Sequence, residues 1–432
     1  MFKGNTMADI PFPRGVRDLM PNEALFRAEM IRKMESIFQS FGFLTILTPS
    51  IESLDILKAK DAIGEDTKLI YEMKDENIGL RYDQTVPLAR YFVMHSSMPL
   101  PFKRYVIGQS WRMDEPQRLR YREFTQADVD IIGGDASKCD SETIACLSKV
   151  LDAFEFKYKV MINNRMLIDD VLESFGVPKG TAIQVMRAVD KLDKMGIDGV
   201  SGLLAKAGLS EEQIGMVNEL ITAKGTNDEK LDYALGMAKD SKAVAELRET
   251  LAMLKEYNIR GEMVVDFSTM RGLDYYTGTV FEFKAENESQ SIGGGGRYDN
   301  LTSLYGGKQL PAVGGTLGID RLLDVMKFSQ SSKATFAKAF VAYIKKENYT
   351  YALKVANILR ANGIFTDLNN ASRSISNQLS YANSLKMPYA VIVGASEEKD
   401  AKAKLRDMVS GEETVMDLDE LVNALKDKKI VY

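Results

Sequence analysis

Apolar and polar positions alternate along residues 104–132, RYVIGQSWRMDEPQRLRYREFTQADVDII, in a pattern that predicts strand, polar loop, strand. Tyr105, Ile107, Gln109 and Trp111 share one face of the first strand, which Arg112 closes. A loop around Pro116 carries Arg118 and Arg120, and a second strand starts near Arg122 and runs to Ile132. Period two puts Arg122, Phe124, Gln126, Asp128 and Asp130 on one face of it. One arginine, one ring, one amide and two carboxylates do not make a core face, because burying them unpaired costs too much. Beside Arg112 they offer a cation for a phosphate, a ring for a flat base, and acceptors for a small cationic or N–H-bearing ligand.

Elsewhere the pattern changes period. Residues 24–41 read as a helix with an imperfect apolar stripe (Leu25, Met30, Met34, Ile37, Phe38, Phe41) that ends at Gly42. FLTILTPSIE (43–52) follows as a strand closing on Pro49. Residues 165–258 are rich in Lys, Glu, Ala and Met with helical spacing, Val185, Val189 and Leu192 falling at i, i+4, i+7. Ser210 and Gln213 make a capping box there, so this stretch predicts a helical insertion. After a short polar linker at 329–335 the chain alternates strand and helix. Strands are expected at 339–344, 364–368, 389–394 and 413–418, and helices at 349–362, 372–386 and 419–427: a small, mostly parallel α/β domain.

Four further segments carry candidate chemistry. In RGLDYYTGTVFEF (271–283), Arg271 precedes a glycine and two adjacent tyrosines; in a strand Tyr275 and Tyr276 point to opposite faces, one lining a pocket while the other packs. IGGGGRYDNL (292–301) lets backbone pass close to a ligand or another strand, and brings Arg297, Tyr298 and Asp299. AVGGTLGIDRLLDVM (312–326) leads from small residues into a helix holding Arg321. RYDQTVPLARYF (81–92) supplies Arg81, Asp83 and Thr85.

Composition narrows the chemistry. The 432 residues suffice for two or three domains, and 45% hydrophobic with 27% charged content is that of a soluble globular protein. No apolar run approaches the roughly 20 residues of a membrane span, and the first residues lack a secretory apolar core. Met7 offers an internal start. Two cysteines, Cys139 and Cys146, provide neither a disulfide framework nor a thiolate zinc site, which argues for the cytoplasm. The single histidine, His95, excludes an HExxH zinc site and the HIGH motif, and has no nucleophile elbow beside it; a structural role is expected. A net charge of −5 argues against a general nucleic-acid coat, while residues 336–432 are weakly basic. No metal site is expected.

Residues 104–132 resemble motif 2 of the class II aminoacyl-tRNA synthetases, and of the histidyl-tRNA synthetases in particular. Residues 271–283 and 292–301 resemble that family's two histidine-specific segments, 312–326 resembles motif 3, and 24–52 resembles motif 1. Residues 81–92 are similar to the family's substrate strand, with Asp83 where bacterial members usually have glutamate; this version looks like archaeal and eukaryotic members. The resemblance spans residues 11–432 in the expected order.

The resemblance implies an α/β (α+β) protein. Its antiparallel-sheet catalytic domain would occupy 1–164 and 256–328, its helical insertion 165–255, and its α/β anticodon-binding domain 336–432. It implies a homodimer with substrates L-histidine, ATP with Mg²⁺, and tRNA-His. Arg112 would hold the α-phosphate and the substrate carboxylate, and Arg271 would take the transition-state role that other class II enzymes give to a metal. Phe124 and Arg321 would sandwich the adenine, Asp114 would lie near it, and Arg120 would reach the outer phosphates. Asp83, Thr85 and Gln126 would grip the ammonium group, Asp130 and Tyr276 the ring nitrogens, and Tyr298 would close the pocket. A pocket that satisfies both ring nitrogens needs no editing domain. Two other readings stand beside this one: a silent histidine-binding regulatory paralogue of ATP phosphoribosyltransferase, and a synthetase for glycine, proline or threonine. Retention of Arg112, Arg271 and Arg321 with a full C-terminal domain argues against the first, and the RGLDYY run against the second.

Overall fold

The computed structural model describes residues 11–59, 64–238, 241–270, 275–288, 290–326, 334–371 and 373–427. Arg271 and residues 329–333 of the expected linker lie outside the described residues. The chain divides into two compact units, one within 1–17 and 31–327 and the other within 18–30 and 328–432.

The first unit is built on an eight-stranded sheet. Its strands are β1 (Leu44–Thr45), β2 (Phe102–Trp111), β3 (Glu123–Ile132), β4 (Tyr158–Asn164), β5 (Glu262–Val265), β6 (Thr279–Ala285), β7 (Ser291–Arg297) and β8 (Ala312–Gly318). They lie in the order β1-β2-β3-β8-β7-β6-β4-β5, antiparallel except at the two edges. The expected hairpin is present: β2 pairs with β3 from Phe102–Ile132 to Trp111–Glu123, and the Arg112 amide donates to the Arg122 carbonyl to close the loop between them.

The two faces of β3 divide the labour, as period two requires. Ala127, Val129 and Ile131 are buried toward the helices Ala136–Ala153 and Lys242–Glu256, which pack against each other. Gly315 of β8, opposite Val129, lies close to Leu147 of the first of these helices and to Phe281 of β6. Gln126, Asp128 and Asp130 are on the other face.

Three glycines explain how closely the central strands approach. An alanine Cβ at Gly295 would overlap the Gly314 carbonyl oxygen, stand 2.5 Å from Gly315 Cα and 2.7 Å from the Phe281 ring. Backbone cannot yield as a flexible side chain can. Gly295→Ala is therefore expected to destabilise the protein by about 1–3 kcal/mol in chemical unfolding, and an unchanged midpoint would show that β7 can shift outward.

The pattern misled in two places. FLTILTPSIE is not one strand: Leu44–Thr45 runs parallel to β2, and Ile51–Ser53 pairs separately with Ile78–Leu80. Pro49 brings no N–H to a ladder, and Leu47 between the pieces is 80% exposed. Arg81–Gln84 is also not a strand; it is a bend leading into the helix Thr85–Met94. The 165–258 stretch is helical as expected, with helices Arg165–Ser174, Lys179–Val189, Leu192–Lys206, Glu211–Ile221, Asn227–Met237 and Lys242–Glu256. Its Ser210–Gln213 capping box is formed, and Gly196, at φ +67°, kinks the third of these helices.

The second unit carries β9 (Ala339–Tyr343), β10 (Thr366–Leu368), β11 (Tyr389–Val393), β12 (Lys402–Asp407) and β13 (Glu413–Asp417), ordered β10-β9-β11-β12-β13. The first three are parallel and the last two antiparallel. The expectation of a mostly parallel sheet passed over β12. Its alternation was legible, Ala403 and Leu405 being buried between Lys402, Lys404 and Arg406.

Candidate active site

The polar face of β3 forms part of the floor of a cleft of about 730 Å³. Gly294 of β7 and Gly314 of β8 also line it, and neither puts a side chain there. A Cβ at Gly314 would run into the Asp130 carboxylate. The glycine run thus removes bulk from the middle of a sheet whose neighbouring strands carry charge.

At one part of the wall, the Arg112 guanidinium lies 4.0 Å from the centroid of the Tyr82 ring and 5.1 Å from that of Phe124, with Nε donating to the Tyr82 carbonyl. Stacking on two rings fixes the plane of the fork while leaving its edge available for an oxyanion. Arg321 is held by the Leu119 and Ser291 carbonyls, at 3.0 and 2.6 Å. Arg120 and Asp114, expected to act separately, pair with each other at 2.9 Å. The loop tip is a tight turn between Gln117 and Arg120 with Leu119 at φ +63°, and Arg118 makes a bidentate pair with Glu288. Behind it, Tyr121 donates to Asp324 at 2.7 Å and Arg17 bonds both Asp320 and Asp324.

The acidic end is more deeply buried. Asp83 Oδ1 accepts from the Thr85 and Val86 amides, capping the helix that begins there, while Oδ2 has no partner among the described residues. Burial pushes its carboxyl pKa up, against the pull of those amides and of Arg112. Asp130 lies below the cleft surface: it pairs with Arg104 at 2.8 Å, both side chains almost wholly buried, and accepts from the Tyr298 hydroxyl. Tyr275 and Tyr276 do not point to opposite faces. They precede β6, so strand alternation does not govern them; their rings meet edge-to-face at 5.1 Å and both line the cleft. The Arg165 guanidinium holds the Tyr276 carbonyl at 2.8 Å.

Asp83, Thr85, Arg112, Asp114, Arg120, Phe124, Gln126, Tyr276, Tyr298 and Arg321 thus converge on one cleft, whereas Asp130 does not reach its surface. Arg271 falls outside the described residues. His95 is exposed and its ring packs near Tyr91, away from this cleft. Sequence reasoning put Asp128 on the candidate polar face with Gln126 and Asp130 but gave it no role of its own. It missed Arg187, Lys191 and Lys194, which line the cleft from the helical stretch. They fall on two helices and the turn between them, so no single helical face announced them.

The Asp128 carboxyl is strongly perturbed. Burial lifts its pKa to about 7, with Asp130 and Asp83 adding to the rise and Arg104 and a hydrogen bond from Thr316 opposing it. The unfolded carboxyl titrates near 3.8. The folded chain therefore binds the extra proton between these values. The stability this lends is complete below about pH 4 and lost as pH rises through about 7. Asparagine remains neutral throughout. Asp128→Asn should leave the ligand-free protein's stability unchanged near pH 4 and raise it at pH 8, by on the order of 1–4 kcal/mol. Thermal midpoints across that range check this, and a lower midpoint for the variant at pH 8 would contradict it.

Comparison with known proteins gives a consistent answer along the chain. A family profile described as "Histidyl-tRNA synthetase" matches residues 15–322, and one described as "Anticodon binding domain" matches 338–428. The chain is 38% identical to a histidine–tRNA ligase of Korarchaeum cryptofilum, over 97% of this chain and 99% of the relative. It is 35% identical to one from Bacteroides fragilis, over 96% and 98%. A crystal structure of histidyl-tRNA synthetase from Nostoc sp. PCC 7120 superposes with a TM-score of 0.85 at 26% identity, covering 97% of this chain and 99% of that one.

Proposed function

The chain belongs to the histidyl-tRNA synthetase family, and on that premise we propose how its cleft performs the family reaction. Its activity is that of a histidine–tRNA ligase, an aminoacyl-tRNA synthetase. L-Histidine and ATP give histidyl-adenylate and pyrophosphate, and the histidyl group then passes to the 3′ end of tRNA-His with release of AMP. In the first step a carboxylate oxygen of histidine forms a bond to the α-phosphorus as the bond to the departing pyrophosphate breaks. Charge on that phosphorus has to be neutralised in place, and little proton transfer is needed.

The observation that carries this reading is the convergence on one cleft of a cationic, ring-lined end (Arg112, Phe124, Arg321) and an acidic end (Asp83, Gln126, Tyr276). Arg112 takes the α-phosphate and the substrate carboxylate. Arg271, assigned from the sequence alone, shares the transition-state charge. Adenine lies between Phe124 and Arg321, with Asp114 near it, and Arg120 exchanges its Asp114 partner for the outer phosphates. Mg²⁺ enters as part of the ATP substrate. Asp83, Thr85 and Gln126 receive the ammonium group. Tyr276 addresses one ring nitrogen. The Tyr298 hydroxyl, bonded to Asp130, stands between that carboxylate and the cleft, so this pair is assigned to the other and closes the pocket.

Residues 1–164 and 256–328 form the catalytic domain, 165–255 its insertion, and 336–432 the anticodon-binding domain. A homodimer through the motif 1 segment is supported by the exposed apolar side chains of Leu44, Leu47 and Ile51. No helix among the described residues is long and apolar enough to cross a membrane, and the family and the two free cysteines favour the cytoplasm. The regulatory-paralogue reading is not favoured, since the ligase relatives match almost end to end. Charging of tRNA-His by the purified protein with L-histidine, ATP and Mg²⁺ tests the assignment. Charging that requires all three is expected; adenylate formation without transfer would refute the second step.

A further inference from the structure

Three buried oxygens in the cleft have no partner among the described residues: Asp83 Oδ2, Gln126 Oε1 and Asp128 Oδ1. In each side chain the other polar atom is already committed. Asp83 Oδ1 takes two backbone amides. Gln126 Nε2 donates to Thr316 Oγ1 at 3.4 Å, and that hydroxyl in turn hydrogen-bonds to Asp128. Thr316 therefore orients both neighbours on the β3 face: it turns the Gln126 amide so that its oxygen is free, and it occupies one Asp128 oxygen so that the second is left bare. The three side chains are 3%, 7% and 4% exposed. Each bare acceptor is unfavourable to bury until a donor arrives. A hydroxyl has one donor and a water two. A primary ammonium has three, with the positive charge that two buried carboxylates lack.

We propose that Asp128 is the third acceptor for the substrate's α-ammonium group and, with Asp83 and Gln126, selects an α-amino acid over analogues without that group. The inference rests on the histidine reading above and adds to it a residue which that reading leaves unassigned. Thr85, beside them, also positions Asp83 through its amide. The charged groups around Asp128 are Asp83 and Asp130, which oppose its ionisation, Arg104 and Arg81, which favour it, and Tyr276, whose hydroxyl is raised by burial first and then by all three carboxylates. An arriving ammonium favours the ionised form of Asp128, so binding and charge on Asp128 are coupled.

Calorimetric titration with two ligands tests this. L-Histidine has the ammonium group; 3-(imidazol-4-yl)propionate keeps the ring and the carboxylate and lacks it. Asp128→Asn preserves shape and the neutral form of the side chain. Its Kd for L-histidine is expected to rise by on the order of 30-fold or more, as for loss of one partner of a buried charge pair, while its Kd for the propionate and for ATP stays within about two-fold of wild type. A merely structural role would weaken both imidazole ligands together, and an Asp128 that reads the ring would do the same; either result overturns the proposal, as does an unchanged Kd for L-histidine. If the asparagine variant does not fold, Asp128→Ser puts the same ratio to the test. Failure of the wild-type protein to bind L-histidine at all would refute the functional reading rather than this assignment.

Discussion

Arg112→Ala is expected to lower histidine-dependent ATP–pyrophosphate exchange by about 10³-fold and to leave the fold intact. Arg112 is placed by contacts that serve orientation more than stability: its guanidinium stacks on Tyr82 and Phe124 and bonds one carbonyl, and it has no carboxylate partner among the described residues. Truncation removes a planar, permanently charged fork from where the α-phosphate gathers negative charge and breaks no ion pair among the described residues; buried Asp83 loses only the longer-range pull of the guanidinium. Arg112→Lys should recover little, because an ammonium cannot reproduce either the bidentate geometry or the double stacking. Exchange kinetics on both variants, with unfolding curves as controls, check this. Near wild-type exchange in the alanine variant would remove Arg112 from the reaction.

Asp130→Ala has its largest effect on stability, with an expected loss of about 3–5 kcal/mol in chemical unfolding. Arg104 and Asp130 face each other across β2 and β3, 2.8 Å apart and at most 2% exposed. Removing the carboxylate strands a buried guanidinium whose remaining bond among the described residues is to the Gln84 carbonyl at 2.9 Å. It also releases the Tyr298 hydroxyl, so any surviving protein should bind histidine poorly. The matched double change Arg104→Met with Asp130→Leu is expected to restore much of the stability and none of the binding, since replacing a whole buried pair by apolar side chains is often neutral. A single-variant loss below about 1 kcal/mol would mean that the pair is not a dry ion pair in the folded protein.

These two residues also mark what the sequence could and could not disclose. Period two in FTQADVDII assigned Gln126, Asp128 and Asp130 to one face correctly, because strand alternation is a local property. It could not say that Arg104 on the neighbouring strand takes Asp130 out of the cleft while Asp128 remains in it; that follows from register between strands. Tyr275 and Tyr276 were misjudged because alternation was applied before the strand begins at Thr279. Asp83 was expected in a strand and instead caps a helix, where its two oxygens acquire different tasks. The contribution of Arg187, Lys191 and Lys194 to the cleft depends on how helices within the first unit pack against the sheet, which no local pattern encodes.

The most direct measurement is ATP–pyrophosphate exchange on the purified protein with each of the twenty amino acids supplied separately. Exchange supported by histidine alone is the predicted result, because a pocket with a partner for each ring nitrogen penalises every side chain that leaves those partners unpaired. Exchange with another amino acid would contradict the pocket assignment, and no exchange with any of the twenty would contradict the activity itself.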